Sequence, residues 1–144
     1  MNGSYLLDTN LVSEWVKPRP DRNVLRWLAK VEEDRVCLSV ITFAEIRRGL
    51  DEMTPGRRHD ALQSWVENDL ALRFDGRILG VGLAVAQSWG VLVARSSKMG
   101  LNLGVMDAFF AATAGVHRLT LVTRNTKHFE GLEISLENPW RGKL

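Results

Sequence analysis

The chain has 144 residues, enough for one domain with its own hydrophobic core, and we expect residues 1–144 to form a single domain. Hydrophobic residues make up 45% and charged residues 25% of the sequence, close to the globular average, which excludes a chain that is disordered as a whole. The formal net charge is only +2, so the protein is not a general nucleic-acid coat, and a polyanion would have to be bound by a local group of cations.

Cysteine content and hydropathy predict a cytoplasmic location. Cys37 is the only cysteine in the sequence, so neither an internal disulfide nor a cysteine-based zinc site can form. The first residues show no basic stretch followed by a long apolar run, and no segment approaches about eighteen consecutive apolar residues. We therefore expect a soluble protein without a membrane span or a cleaved signal peptide.

The first half of the chain alternates short apolar runs with segments of helical periodicity. Tyr5–Leu7 and Val36–Val40 are apolar runs too short for helices, which is typical of buried strands. The predicted helices have apolar residues three or four positions apart and cover Leu11–Val16, Val24–Val31 with Asp21 as N-cap, Ala44–Leu50 with Thr42 as N-cap, and Leu62–Leu70.

The second half continues the alternation. Residues 73–82 show no clear period, and Ile78–Val81 is their one candidate strand. The later predicted elements are, in order, a helix over Leu83–Lys98 despite its interior glycine, a loop over Gly100–Gly104, a helix over Val105–Val116, and strands over Leu119–Thr123 and Leu132–Leu136. Strands that alternate with helices predict an α/β fold, with a central parallel sheet of about four to five strands flanked by helices on both faces.

Three acidic residues fall where such a fold binds ligands. Asp8 ends the first strand, while Glu45 and Asp107 each lie in the first turn of a predicted helix. Open α/β sheets bind ligands at the carboxyl ends of their strands, so we expect the three carboxylates to meet there. Repulsion among them is relieved by a divalent cation, and oxygen-only ligands favour Mg²⁺ or Mn²⁺.

Each of these acids also has a purely structural interpretation, which the sequence leaves open. The helix macrodipole favours a carboxylate in a first turn and so accounts for Glu45 and Asp107 without a ligand. Asp8 can cap the helix that follows it, a role that Thr9 and Asn10 can share. A buried carboxylate is costly unless it is paired, hydrogen-bonded or metal-bound, which makes Asp8 harder to explain by structure alone.

Four sequence motifs, in this order, resemble the PIN-domain family, and within it the VapC-type toxins of bacterial toxin-antitoxin pairs, especially the FitB-like group. The motifs are LLDTN near the start, SVITFAEIRRG in the middle, and VMDAFFAATA and LVTRNTKHF later in the chain. The similarity extends to Asn138, Pro139 and Trp140, so it spans nearly the whole sequence.

This resemblance implies a PIN-domain fold and a metal-dependent endoribonuclease. Asp8, Glu45 and Asp107 would be the acidic metal-site residues, Thr123 would support them, and Mg²⁺ would be the cofactor, with Mn²⁺ as a substitute. The position where the family often has a fourth acid is Asn125 here, which can position water but adds no charge for a second ion. RNA would be cut internally, leaving a 5′-phosphate and a 3′-hydroxyl.

Basic residues that flank the acidic motifs are candidates for binding the RNA backbone, although an ordinary solvated surface accounts for each equally well. They are Arg47, Arg48, Arg95, Lys98, Arg124 and Lys127. The histidines lie outside the acidic motifs and are expected to have surface or capping roles: His59, His117 and His128. The tryptophans on predicted apolar helix faces are expected to be core or dimer contacts: Trp27, Trp65 and Trp89.

The resemblance also implies partners, namely a second copy of the chain and a cognate antitoxin with its own DNA-binding segment. Two other functions stay open. A phosphatase with a strand-terminal aspartate nucleophile needs a second aspartate two positions later, where this sequence has Asn10. A PIN domain that has lost turnover would be an RNA-binding or regulatory partner, which Asn125 allows and the three intact acids disfavour.

Overall fold

The structure is a computed structural model that describes residues 3–142. Its strands are β1 (Tyr5–Leu7), β2 (Val36–Ser39), β3 (Ile78–Leu79), β4 (Thr120–Val122) and β5 (Leu136–Glu137). Across the described residues they form one five-stranded sheet in the order β3-β2-β1-β4-β5, and every neighbouring pair is parallel. The predicted parallel sheet is therefore confirmed, with β1 at its centre.

Helices connect the strands. They are α1 (Thr9–Ser13), α2 (Arg22–Lys30), α3 (Val40–Glu52), α4 (Arg57–Ser64), α5 (Ala71–Arg73), α6 (Leu83–Lys98) and α7 (Val105–His117). A π-helical segment, Trp65–Leu70, joins α4 to α5, and short 3₁₀ segments include Glu14–Val16 and Thr126–Phe129. None of the helices in residues 3–142 has the length and apolar character needed to cross a membrane.

The core is divided by the sheet because successive strand residues point to opposite faces. Leu6 and Leu121 are fully buried on the face covered by α6 and α7. Leu7 and Val122 are fully buried on the other face, with α1, α2 and the end of the α4–α5 segment at Phe74. Helices thus cover both faces, as predicted, and the three tryptophans expected to be core or dimer contacts pack against the core: Trp27, Trp65 and Trp89.

The start of α3 differs from the prediction. Ser39, the last residue of β2, caps this helix, and its Oγ accepts a hydrogen bond of 3.0 Å from the Ile41 N–H. Thr42, the predicted cap, lies buried inside the helix, and Val40 begins the helix instead of ending the strand. The N-cap of this helix therefore lies three residues earlier than predicted, whereas α2 is capped by Asp21 as expected.

The last strand was predicted too early, at Leu132–Leu136. Glu133 adopts a φ of 59°, in the left-handed region that excludes extended strand geometry, and the preceding turn passes through Gly131 with a φ of 85°. The chain becomes extended enough to pair with β4 only at the start of β5. The candidate strand at Ile78–Val81 is confined to the two residues of β3.

Candidate active site

Asp8 and Thr123 form the centre of the site, because they directly follow β1 and β4 at the carboxyl edge of the sheet. The Thr123 hydroxyl donates a hydrogen bond of 2.6 Å to Oδ2 of Asp8. Oδ1 of Asp8 accepts a hydrogen bond of 2.7 Å from the Thr9 N–H, which makes Asp8 the N-cap of α1. Asp8 is only 6% exposed, so it is at once a helix cap and a buried acid at the expected ligand edge.

Glu45 approaches this edge from α3. Because α3 begins at Val40, Glu45 lies in the second turn, not in the first turn as predicted, and the macrodipole does not account for it. The Thr9 hydroxyl donates to Oε1 of Glu45 at 2.5 Å and lies 3.0 Å from the Thr42 hydroxyl. Since Thr9 has a single hydroxyl proton, Thr42 is the donor in the second contact, and Thr9 links Glu45 to the Asp8 loop.

Asp107 lies in the first turn of α7, as predicted, and its side chain is 27% exposed. Nδ1 of His128 is 3.1 Å from Oδ2 of Asp107. His128 lies at the surface as predicted, with its side chain 57% exposed, but the contact with Asp107 was not predicted. His128 belongs to the 3₁₀ segment Thr126–Phe129, in the LVTRNTKHF motif, and is a site residue that the sequence interpretation missed.

The pKa of Asp8 reflects its burial and the charges of the neighbouring acids. Its pKa is raised from the ordinary 3.8 to about 6, chiefly because the carboxyl is buried. The hydrogen bonds from Thr123 and Thr9 lower this pKa, and the negative charges of Asp107 and Glu45 raise it. Even so, no three His, Cys, Asp or Glu side chains within residues 3–142 are grouped closely enough to hold one ion. In the described residues, the site is therefore a set of neighbouring carboxylates and not one compact cluster.

Two asparagines border these acids. Oδ1 of Asn10, within the LLDTN motif, is buried and has no hydrogen-bond partner in the described part of the chain. An unsatisfied buried acceptor of this kind costs about 1–3 kcal/mol. The exposed Asn125 donates its backbone N–H to the Thr123 hydroxyl at 3.1 Å, so the same hydroxyl connects Asn125 to Asp8.

The candidate RNA-binding cations differ in whether a neighbouring acidic residue compensates their charge. Arg47 and Arg48 each pair with an acidic residue one turn later on α3, so their charges are partly compensated. Arg124 follows Thr123 directly and stacks its guanidinium over a C-terminal tryptophan ring. Lys98 and Lys127 are exposed, and neither forms an ion pair with another described residue.

An open groove of about 350 Å³ begins at the acidic site. Thr9 and Glu45 line one end, and Ile46 and Trp65 give it apolar walls. Arg58 also lines the groove and contributes a positive charge. The groove therefore combines a carboxylate end, apolar walls and a cation along one surface.

The sequence of this chain is similar to a protein-family model and to characterised bacterial proteins. A family model described as the PIN domain matches residues 5–133. The VapC ribonuclease Y4jK of Sinorhizobium fredii is 37% identical over 135 residues, which cover 94% of this chain and 96% of that protein. Toxin FitB of Neisseria gonorrhoeae is 35% identical over 135 residues, covering 94% of this chain and 97% of FitB.

Solved structures show the same similarity. The structure of FitAB bound to an IR36 DNA fragment contains a chain that superposes with a TM-score of 0.91 at 33% identity, covering 97% of this chain and 98% of that one. The structure of FitAcB from Neisseria gonorrhoeae contains a chain that gives a TM-score of 0.89 at 34% identity, covering 94% of this chain and 98% of that one. The five-stranded sheet and its helices are thus shared with these proteins over nearly their full length.

Proposed function

The chain belongs to the PIN domain family, and on that premise we propose that its acidic site cuts RNA internally with the aid of a divalent metal ion. The observation that supports this most strongly is the state of Asp8, a buried carboxyl with a pKa of about 6. Two further carboxylates repel the negative charge of ionised Asp8, so the ionised form destabilises the fold unless a cation compensates it. Such an arrangement is typical of a cation site.

Asp8, Glu45 and Asp107 are the residues that would hold the ion. All their donor atoms are carboxylate oxygens, which suit Mg²⁺ or Mn²⁺. Glu45 and Asp107 are partly exposed, so their carboxylates are accessible to an ion from solvent. When bound, such an ion supplies positive charge to the scissile phosphate and lowers the pKa of an attacking water.

The hydroxyl-bearing residues hold these carboxylates in place. Thr123 and the Thr9 N–H fix both oxygens of Asp8, and the Thr9 hydroxyl fixes Glu45. Because the two bonds to Asp8 lower its pKa, they favour the ionised form that cation binding needs. Carboxylates fixed in this way keep the reacting groups aligned during attack on a phosphodiester.

The RNA backbone would cross the carboxyl edge of the sheet. Arg124, Lys127 and Lys98 are the candidate phosphate contacts whose charge is not shared with a nearby acid in the described structure. Arg47 and Arg48 would have to leave their intrahelical partners to contribute, at a small cost for such exposed pairs. The groove that starts at Thr9 and Glu45 could accommodate the RNA strand beyond the acidic site.

The relatives extend the proposal to a cellular role. One relative is named a ribonuclease and another a toxin, and one solved relative is a FitAB complex with DNA. By analogy, this chain would be the toxin of a toxin-antitoxin pair, inhibited by a cognate antitoxin that carries a DNA-binding segment. The antitoxin would then supply the DNA contact that a chain of net charge +2 makes poorly.

A homodimer is part of the same proposal. Leu83 is 76% exposed and Val91 58% exposed on α6, and Val105 is 58% exposed at the start of α7. Helices α6 and α7 pack against each other, so these apolar side chains belong to one pair of elements. A second copy of the chain would cover them.

Cleavage of an end-labelled RNA by the purified protein tests the proposal. We expect internal cuts with 5′-phosphate and 3′-hydroxyl ends that require Mg²⁺ or Mn²⁺. Asp107→Asn should fold and not cleave, whereas Asp69→Asn, which changes an exposed aspartate on the π-helical segment, should cleave like the wild type. Cleavage in excess chelator, or by Asp107→Asn, would refute the nuclease assignment, and RNA binding without any cleavage would support the regulatory alternative.

A further inference from the structure

The three site carboxylates are held in different ways. Asp8 accepts hydrogen bonds from Thr123 and Thr9, and Glu45 accepts one from Thr9, so both are fixed by residues of the LLDTN motif or the end of β4. The Asp107 side chain has one hydrogen-bond partner within residues 3–142, the imidazole of His128. Its orientation therefore depends on a residue from a separate segment.

The segment that carries His128 is firmly anchored. In the 3₁₀ segment Thr126–Phe129, the side chains on either side of Lys127–His128 are buried, since Thr126 is 9% and Phe129 is 1% exposed. The His128 N–H donates a hydrogen bond of 3.0 Å to the Asn125 carbonyl. The imidazole itself is 57% exposed, so packing does not account for its contact with Asp107.

An imidazole that donates from Nδ1 to a carboxylate oxygen fixes the direction of that carboxylate. Asp107 is 27% exposed, and no other hydrogen bond in the described residues holds its carboxylate. A carboxylate that is already oriented loses less freedom when an ion binds, which raises affinity for the ion.

We propose that His128 is a positioning residue for the metal site, which orients Asp107 by donating its Nδ1–H to Oδ2 and leaves the other carboxylate oxygen for the ion. This inference rests on the proposed metal-dependent function. It assigns to the LVTRNTKHF motif a role in cation binding through His128, in addition to the contact that Thr123 makes with Asp8.

Calorimetric titration with Mn²⁺ tests this proposal on the full chain without any measurement of cleavage. His128→Ala should weaken Mn²⁺ binding by about ten- to a hundredfold, the usual effect of removing a partner that orients a metal ligand. His128→Asn should restore most of the affinity, because its amide N–H can replace the Nδ1–H. His59→Ala is the matched control, since Nδ1 of His59 lies 3.1 Å from Oδ1 of Asp60 in an equivalent pair, and it should bind Mn²⁺ like the wild type.

Pulsed electron paramagnetic resonance of the Mn²⁺-bound wild type separates orientation from direct ligation. We expect no coupling to a directly bound imidazole nitrogen, and such a coupling that disappears in His128→Ala would overturn the positioning role. Unchanged affinity in His128→Ala, or equal losses in His128→Ala and His128→Asn, would also overturn it. A wild-type protein that binds no Mn²⁺ would overturn the proposed function as well, whereas binding that is intact in both wild type and His128→Ala overturns this inference alone.

Discussion

Replacing Asp8 with asparagine should stabilise the metal-free protein while it abolishes the proposed activity. The Asp8 carboxyl has a pKa of about 6 in the folded protein, against 3.8 ordinarily, chiefly because it is buried. Since one pKa unit corresponds to about 1.4 kcal/mol, the ionised carboxyl lowers the free energy of unfolding by about 3 kcal/mol at neutral pH. Asparagine removes the charge and is as good an N-cap, because its amide oxygen can still accept the hydrogen bond from the Thr9 N–H while its amide N–H donates to the Thr123 hydroxyl.

The pH dependence of this effect has a definite sign. Below pH 3.8 the Asp8 carboxyl is protonated in both the folded and the unfolded chain, and its charge costs nothing. Between pH 3.8 and about 6 the folded chain keeps the proton that the unfolded chain has lost, so stability of the wild type falls as the pH rises. The difference in free energy of unfolding between Asp8→Asn and the wild type should therefore increase across this interval and stay constant at higher pH.

Urea unfolding in the presence of chelator, from pH 4 to pH 8, measures this difference. A gain of about 3 kcal/mol corresponds to a rise in melting temperature of roughly 10 °C for a domain of this size. Asp21→Asn, at the N-cap of α2, is the control for changing a capping aspartate, and we expect a much smaller difference there. Destabilisation by Asp8→Asn at pH 7, or a gain that does not vary with pH, would refute the electrostatic account of this site.

The other predictions concern the remainder of the site and its partners. Asn125→Asp adds a carboxylate beside Thr123 and should tighten Mn²⁺ binding in a calorimetric titration, whereas unchanged affinity would mean that this position does not touch the ion. Thr9→Val removes the hydroxyl that binds Glu45 and should lower RNA cleavage about tenfold, while Thr9→Ser, which keeps the hydroxyl, should cleave nearly as the wild type; equal rates in both variants would exclude this role. Light scattering at tens of micromolar should show a dimer, and a monomer would count against it. We expect an antitoxin to be encoded next to this chain, to co-purify with it and to suppress cleavage; failure of both would contradict the toxin assignment and leave the nuclease assignment intact.

The elements that could be predicted well are those whose signal is local. Helix α6 runs over Leu83–Lys98 as predicted, because its apolar spacing continues through Gly90. The boundary between β2 and α3 could not be predicted, since Ser39 and Thr42 are both good caps and the choice depends on where β2 stops pairing with its neighbours. The position of β5 was equally hidden, because it depends on the left-handed backbone of Glu133.

The candidate site shows the same division. Asp8 could be found because it follows an apolar strand, and parallel strands bring their carboxyl ends to one edge. Thr123 was expected to support it only through the resemblance to the PIN-domain family, and its hydroxyl does donate to Asp8. His128 could not be found, because its contact with Asp107 joins residues 21 positions apart through the placement of a 3₁₀ segment beside α7.

A single Mn²⁺ titration in which ion binding and RNA cleavage are followed together tests the central claim most directly. If Asp8, Glu45 and Asp107 form the metal site of a nuclease, ion binding and RNA cleavage in the wild type should rise with the same midpoint in Mn²⁺ concentration. Asp107→Asn should then bind Mn²⁺ weakly and leave RNA intact at every concentration. Cleavage that is complete at Mn²⁺ concentrations too low for the ion to bind, or that persists in Asp107→Asn, would contradict the claim that these carboxylates are the catalytic metal site.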